Sequence, residues 1–235
     1  MRILLAAAVL PALFLMRYVY RMDRIEKEPL GLLIQLAGAG AVSCFPAAVI
    51  EKMLGSVLGQ FLDAESEIYI LIDAFLVVAL AEEGCKYICL RMFTWRNEEF
   101  DCNFDGIVYA VFVSLGFAAL ENIMYLQSYG LSIAFSRAIL SIPGHMTFSV
   151  FMGHHYSKAK KAMIYGRADE ARQCSITALT RAVILHGFYD YCLMSNYEML
   201  YYVFFVFVVL LDIISIKKIK IEAANDAPFE RWPMY

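Results

Sequence analysis

Apolar residues in this chain run together in blocks long enough to cross a bilayer, instead of recurring on a single helical face. A spanning helix needs about 20 mostly apolar residues. Seven blocks qualify: 3–20, 30–50, 68–90, 106–127, 131–156, 176–195 and 197–216. The pattern predicts an all-α protein: a polytopic transmembrane helical bundle of about seven spans. A single transmembrane domain would occupy 1–216, with a tail at 217–235. The first block is apolar from Ile3 to Met16, and Arg17, Arg21 and Arg24 follow at once with no small-residue cleavage site. It therefore reads as a retained helix and not a signal peptide. The stretch 51–67 admits an amphipathic or re-entrant piece.

Lysine and arginine set the expected orientation. Fifteen of the 20 fall after the first, third, fifth and seventh blocks, from Arg17, Arg21, Arg24 and Lys27 through to Lys217, Lys218, Lys220 and Arg231. The alternate ends carry only Arg2 and Lys52. This asymmetry places the N-terminus outside and the C-terminus in the cytoplasm, in the plasma membrane of a cell. Composition agrees. The 235 residues are 61% hydrophobic and 18% charged, against about 45–50% and about 25% in a soluble domain. A disordered chain and a basic nucleic-acid binder are both excluded. Cys44, Cys85, Cys89 and Cys192 lie in apolar blocks, and Cys102 and Cys174 in loops expected to be cytoplasmic. No disulfide framework is implied.

Ionisable groups within hydrocarbon are costly, which makes each a functional candidate. Four consecutive blocks hold them: Glu82, Glu83 and Lys86; Glu121 and Asn122; Arg137 and His145; Arg181, His186 and Asp190. Lys86 lies four residues from Glu82 and three from Glu83, so it can pair with either. Adjacent residues point about 100° apart, so one glutamate is expected to face a cavity while the other holds the lysine. His186 and Asp190 share a face that continues through Ala182 and Ala178, residues small enough for close helix approach. Pro143-Gly144 before His145 predicts a kink. Arg137 and Arg181 lie near predicted ends and read as snorkelling residues. His154 and His155 read as interfacial, and Asp73 as a helix-end residue.

Several chemistries are excluded by absence. There is no H-E-x-x-H and no G-x-S-x-G, Cys85 has no base beside it on its helix, and the G-x-G-D half of an aspartyl signature is missing. A carboxylate-and-histidine site remains. A glutamate drawn out of water can act as a general base near neutral pH, and a neighbouring histidine can hold the water or stabilise an oxyanion. Alternatively, two histidines and a carboxylate hold a metal with an open position. Both routes lead to amide hydrolysis.

The ordered motifs Glu82-Glu83-x-x-Lys86, Phe117-x-x-x-Glu121-Asn122, Pro143-Gly144-His145 and His186-Gly187-x-x-Asp190 resemble the PrsW family of bacterial membrane proteases. They are similar, more distantly, to the CAAX prenyl protease and bacteriocin-processing superfamily. The likeness covers roughly 68–195. It implies a peptidase that makes the first, extracytoplasmic-side cut in single-pass membrane proteins such as anti-sigma factors. It also implies catalytic roles for Glu82, Glu83, Glu121, His145 and His186, with Lys86, Asn122 and Asp190 orienting them. If a divalent metal such as zinc is bound, Glu121, His145 and His186 are the expected ligands. The expected partners are a single-pass substrate and the lipid bilayer, with no nucleic acid. Two other classes fit the same polar cluster: an ion- or proton-coupled transporter using it as a relay, and a non-catalytic membrane receptor or immunity protein. The chain shows no paired inverted repeat of the kind many transporters carry.

Overall fold

The computed structural model describes residues 2–229, and the apolar blocks become helices. In chain order these are α1 (Arg2–Met22), α2 (Leu30–Leu58), α3 (Glu67–Ile72), a π-helical stretch (Asp73–Ala79), α4 (Leu80–Thr94), α5 (Asp105–Tyr129), α6 (Leu131–Ile139), α7 (Ser141–Ile164), α8 (Ala168–Met194) and α9 (Glu198–Ala224). α3, the π stretch and α4 run on without interruption. α2, α5 and α9 are each long and apolar enough to cross a membrane. The helices that carry the ionisable cluster, α4, α7 and α8, are less uniformly apolar. No strand forms among the described residues beyond one isolated bridge between Cys102 and Pro228.

α5 is the central post. It is buried almost continuously from Asp105 to Ala118 and packs against α1, α2, α4, α6 and α7. Its crossing with α2 depends on two missing side chains. A Cβ at Gly40 would stand 1.9 Å from the Val113 carbonyl oxygen, and one at Gly116 would stand 2.0 Å from that of Ala37. With hydrogen in both places the two backbones touch, the close approach that small residues permit between membrane helices. Ala178 and Ala182 on α8 are fully buried, as their shared face predicts.

Four local features differ from the sequence expectation. The block 131–156 is not one kinked helix: the chain breaks at Leu140 (φ −109°, ψ −55°) and α7 starts afresh at Ser141. Pro143 thus sits in a first turn, where its missing N–H costs no intrahelical bond. The block 68–90 contains a π stretch immediately before Glu82. Residues 51–67 form no re-entrant helix: α2 continues to Leu58, and a short loop leads to Ser66, whose hydroxyl accepts from the Tyr69 N–H at 3.3 Å and caps α3. α7, α8 and α9 also run past the apolar blocks, with polar pairs supporting the extensions. Lys218 reaches Glu222 at 3.3 Å and His154 reaches the same carboxylate at 3.1 Å. The chain after α9 is packed through Phe229, whose N–H meets the Asp101 carbonyl at 2.6 Å and whose ring lies 5.9 Å from that of Phe100. Arg231 lies outside the described residues.

These contacts gather the loops after α1, α4 and α9 at one end of the bundle. There the Tyr109 hydroxyl donates to Glu28 at 2.5 Å and to the Glu99 carbonyl at 3.0 Å. At the other end Glu67 accepts from Ser195 at 3.0 Å and from the Asn196 N–H at 2.7 Å. Burial pushes the Glu28 carboxyl up to about 7 against the lowering effect of the Tyr109 hydrogen bond. Burial likewise lifts the nearby Asp23 to about 6, although Lys27 opposes it. A carboxyl whose folded pKa is raised binds its proton more tightly folded than unfolded. Its contribution is therefore fully present below the unfolded value of 4.5 and is lost as pH rises through about 7. The melting temperature in detergent is expected to fall across that window, and Glu28→Gln to flatten the fall. An unchanged slope in the variant would show that Glu28 does not titrate there.

Candidate active site

α4 brings three charges to one level of the bundle. The Lys86 ammonium donates to Glu82 Oε2 at 3.0 Å and to Glu83 Oε1 at 2.8 Å, and it lies 3.0 Å from His145 Nδ1 on α7. Its Nζ also stands 4.1 Å above the Phe117 ring of α5. An ammonium only donates, so Nδ1 of His145 accepts and Nε2 carries the hydrogen. That nitrogen faces Glu121 Oε2 at 3.1 Å. The same oxygen is held at 2.5 Å by Arg137 from α6, whose guanidinium lies 3.8 Å from the centre of the Tyr125 ring.

α8 closes the cluster from the other side. His186 Nδ1 is 2.9 Å from Glu83 Oε1, and Nε2 is 3.3 Å from Asp190 Oδ2 one turn away. The ring stacks on Phe148 at 5.0 Å and 18°, which fixes its plane. The next residue must be glycine for this arrangement, since a Cβ on Gly187 would lie 2.5 Å from the Phe75 ring in the π stretch. Seven residues of i→i+5 winding directly before Glu82 set the phase at which the glutamates meet α8. π stretches of this kind recur at functional sites.

The cluster opens onto a cavity of about 520 Å³, walled in part by Glu51, Glu82, Glu121, His145, His186 and Asp190. Ser136 and Arg137 of α6 and Leu193 and Met194 of α8 also border it. Glu121, His145 and His186 lie in the parts of their helices nearer the end opposite the basic loops. The cavity therefore belongs to that half of the bundle.

The structure thus brings Glu82, Glu83, Lys86, Glu121, His145, His186 and Asp190 together. It separates Asn122, which is fully buried but turned to α1, where it donates to the Ala8 carbonyl at 3.1 Å. Asn122 does not orient the cluster. The expected division of labour between the glutamates is also different. Both bond Lys86, and Glu82 faces the cavity as well, whereas Glu83 is wholly buried and additionally holds His186. Arg137 does not snorkel: it is the counter-ion of Glu121. His154 pairs with Glu222, and His155 is buried instead of facing the interface. Arg181 is exposed, as expected. Sequence reasoning missed Glu51 and Phe148. Glu51 shares the spacing 44, 48, 51 with the cavity-lining Cys44 and Ala48. That helical stripe carries the signal, but Glu51 falls one residue past the edge assigned to its block.

Carboxylate oxygens of Glu82 and Glu83 and ring nitrogens of His145 and His186, all buried, lie within 4.8 Å of one another. Two carboxylates and two imidazoles form a donor set suited to a divalent ion. Glu83 Oε2 is buried without a hydrogen-bond partner, a free acceptor among those donors. One ammonium also leaves the two carboxylates with an excess negative charge for a cation to answer. Glu121, expected among the ligands, is engaged by Arg137 instead.

Residues 28–213 match the model of a family described as PrsW family intramembrane metalloprotease. The chain is 35% identical over 217 residues to Protease PrsW of Oceanobacillus iheyensis, covering 92% of this chain and 94% of that one. It is 36% identical over 199 residues to Protease PrsW of Geobacillus kaustophilus, covering 85% and 83%. It is 33% identical over 207 residues to Protease PrsW of Bacillus subtilis, covering 85% and 86%. No solved structure matches significantly.

The geometry separates the two glutamates experimentally. Glu82→Gln leaves Lys86 paired with Glu83 and is expected to give normal yields of monodisperse protein in detergent. Glu83→Gln weakens both the lysine and the His186 attachments, and Lys86→Met strands two buried carboxylates. Each of these is expected to cost about 3–5 kcal/mol, the usual loss on breaking a buried ion pair, and to depress yield and melting temperature. Equal yields for the two glutamine variants would mean that Glu83 does not carry this structural role.

Proposed function

This chain belongs to the PrsW family of intramembrane proteases, and we propose that it makes the first cut in single-pass membrane proteins of the anti-sigma-factor kind, from the outer side of the plasma membrane. It is a peptidase of the membrane, and its substrates are membrane proteins. The observation that carries the mechanism is the position of Glu82: on the cavity wall, 3.0 Å from Lys86, beside His145 and His186.

In this mechanism an extended substrate segment enters the cavity with its scissile carbonyl near the two histidines. Glu82 takes a proton from water, the resulting hydroxide adds to the carbonyl carbon, and the same carboxyl returns the proton to the leaving amine as the C–N bond breaks. Both imidazoles line the cavity, and an N–H now given to Glu121 or Asp190 turns to the oxyanion as it develops. Glu83 and Asp190 hold His186, and Glu121 holds His145, which fixes the orientation of each ring beside the cavity. Glu83, His145 and His186 would hold a divalent ion such as zinc, which when bound supplies a Lewis acid and a more acidic water.

Reconstitution with single-pass candidate substrates, followed by mass spectrometry of the fragments, tests the reading. Glu82→Gln and His186→Ala are each expected to lower cleavage by about 10²-fold or more, the usual scale for losing a base or oxyanion donor. Metal content of the purified protein is measured alongside. Full cleavage of a verified substrate by Glu82→Gln would remove the proposed base.

The orientation rests on the basic residues collected at the end that joins the loops after α1, α4 and α9. Reporter fusions at Ala224 and near Asn196 are expected to report cytoplasm and exterior respectively. The reverse result would place the cavity on the cytoplasmic side and overturn the outer-side cut.

A further inference from the structure

A second pocket, of about 370 Å³, lies between the end of α7 and the start of α8. Lys158 follows His145 by 13 residues along α7, which puts this pocket roughly 20 Å from the catalytic cluster at 1.5 Å per residue and at the basic end of the bundle. Its wall carries His155, Lys158 and Lys161 from α7, and Arg167 and Glu170 from the turn into α8. Arg167 and Glu170 satisfy each other at 2.8 Å. Lys161 comes only within 3.5 Å of Asn103 Oδ1. Lys158 is exposed and has no carboxylate at ion-pair distance among the described residues.

His155 supplies an independent observation. It is 9% exposed, and its Nε2 is buried with no hydrogen-bond partner, an arrangement that is expensive unless something completes it. The charged groups acting most strongly on its ring are His154, Arg181, Lys158 and Lys218, all basic, although Glu170 shares the pocket wall. Glu222 answers His154 and Lys218, and Lys158 and Arg181 have no carboxylate at ion-pair distance among the described residues. An unpartnered ring nitrogen on the pocket wall, surplus lysines and an open volume together describe an anion site.

We propose that this pocket binds a phosphate-type oxyanion, either the phosphodiester of an anionic lipid headgroup or a free phosphate group. Lys158 and Lys161 supply the charge, and the His155 Nε2–H supplies the directed hydrogen bond. Basic pockets between membrane helices on the cytoplasmic side take lipid headgroups by this chemistry, and charge-assisted hydrogen bonds to phosphate are among the stronger ones. Occupancy would complete His155 and tie α7 to α8 at the end remote from catalysis.

Cys174 lines the pocket and is half-buried, and every other cysteine except Cys89 is buried. In a Cys89→Ala background it therefore reports occupancy through its rate of maleimide labelling. The full chain in detergent is titrated with short-chain phosphatidylglycerol, short-chain phosphatidylcholine or inorganic phosphate. Slowing by phosphatidylglycerol alone supports the site and assigns a lipid headgroup. Slowing by inorganic phosphate as well supports it and assigns a free phosphate group. Lys158→Ala combined with Lys161→Ala is expected to raise the half-protecting concentration roughly 30-fold, from the usual worth of two cations at an anionic surface. Three results would each overturn the proposal: no protection by either anion, equal protection by phosphatidylcholine, or an unshifted midpoint in the double variant.

Discussion

The Lys86 ammonium is the group on which this arrangement depends. Glu82 and Glu83 are adjacent on one helix and both buried, and without a cation their charges would oppose one another in a medium that screens weakly. Lys86 meets both, together with His145, at 2.8–3.0 Å. It thereby fixes α4 relative to α7. Through Glu83 and His186 the same network reaches α8, and through His145, Glu121 and Arg137 it reaches α5 and α6. Five helices are held in register by one chain of charge-assisted bonds. Such a network is a poor source of raw stability, because desolvation takes back most of the attraction. Its better-attested use is to specify one geometry.

Bonds near 3 Å between side chains on different helices require helices that lie close. Gly116 and Gly40 let α2 touch α5, and Gly187 lets the π stretch lie on α8. The glycine of the His186-Gly187 pair thus has a steric task quite separate from the chemistry of its neighbour. The π stretch has the complementary task. It changes the rotation at which the glutamates emerge, so that Glu83 meets His186 inside the bundle while Glu82 reaches the cavity.

The helical architecture was legible because bilayer-length apolar blocks leave few alternatives, and the charged cluster was legible because such residues are rare inside them. The residues singled out by the motifs, Glu82, Glu83, Glu121, His145 and His186, lie together in the structure. What escaped the sequence were features decided by contacts between helices. Asn122, next to Glu121, points about 100° away and serves α1. Arg137 looked like a helix-end residue because no one-dimensional pattern reveals that α6 ends separately and sets it against Glu121. The break at Leu140 was hidden by a run of residues that all suit a helix. Glu51 was lost because hydropathy defines where a block ends, whereas α2 continues beyond it.

Charge is also segregated along the bundle, and the segregation joins the two ends into one design. The cavity half holds Glu51, Glu82, Glu121 and Asp190 around two histidines, and needs Arg137 and Lys86 as internal counter-ions. The other half holds most of the lysine and arginine, beside acidic groups of its own such as Glu28, Glu170 and Glu222. An acidic, counter-ion-poor cavity placed at the basic end would draw those cations in and quench the carboxylates. Confining surplus positive charge to one end keeps Glu82 opposed by a single ammonium. The cavity-facing carboxylate therefore stays anchored, yet it is not buried beneath competing cations. Keeping the surplus positive residues at the far end of the bundle thus also leaves the glutamate accessible to water.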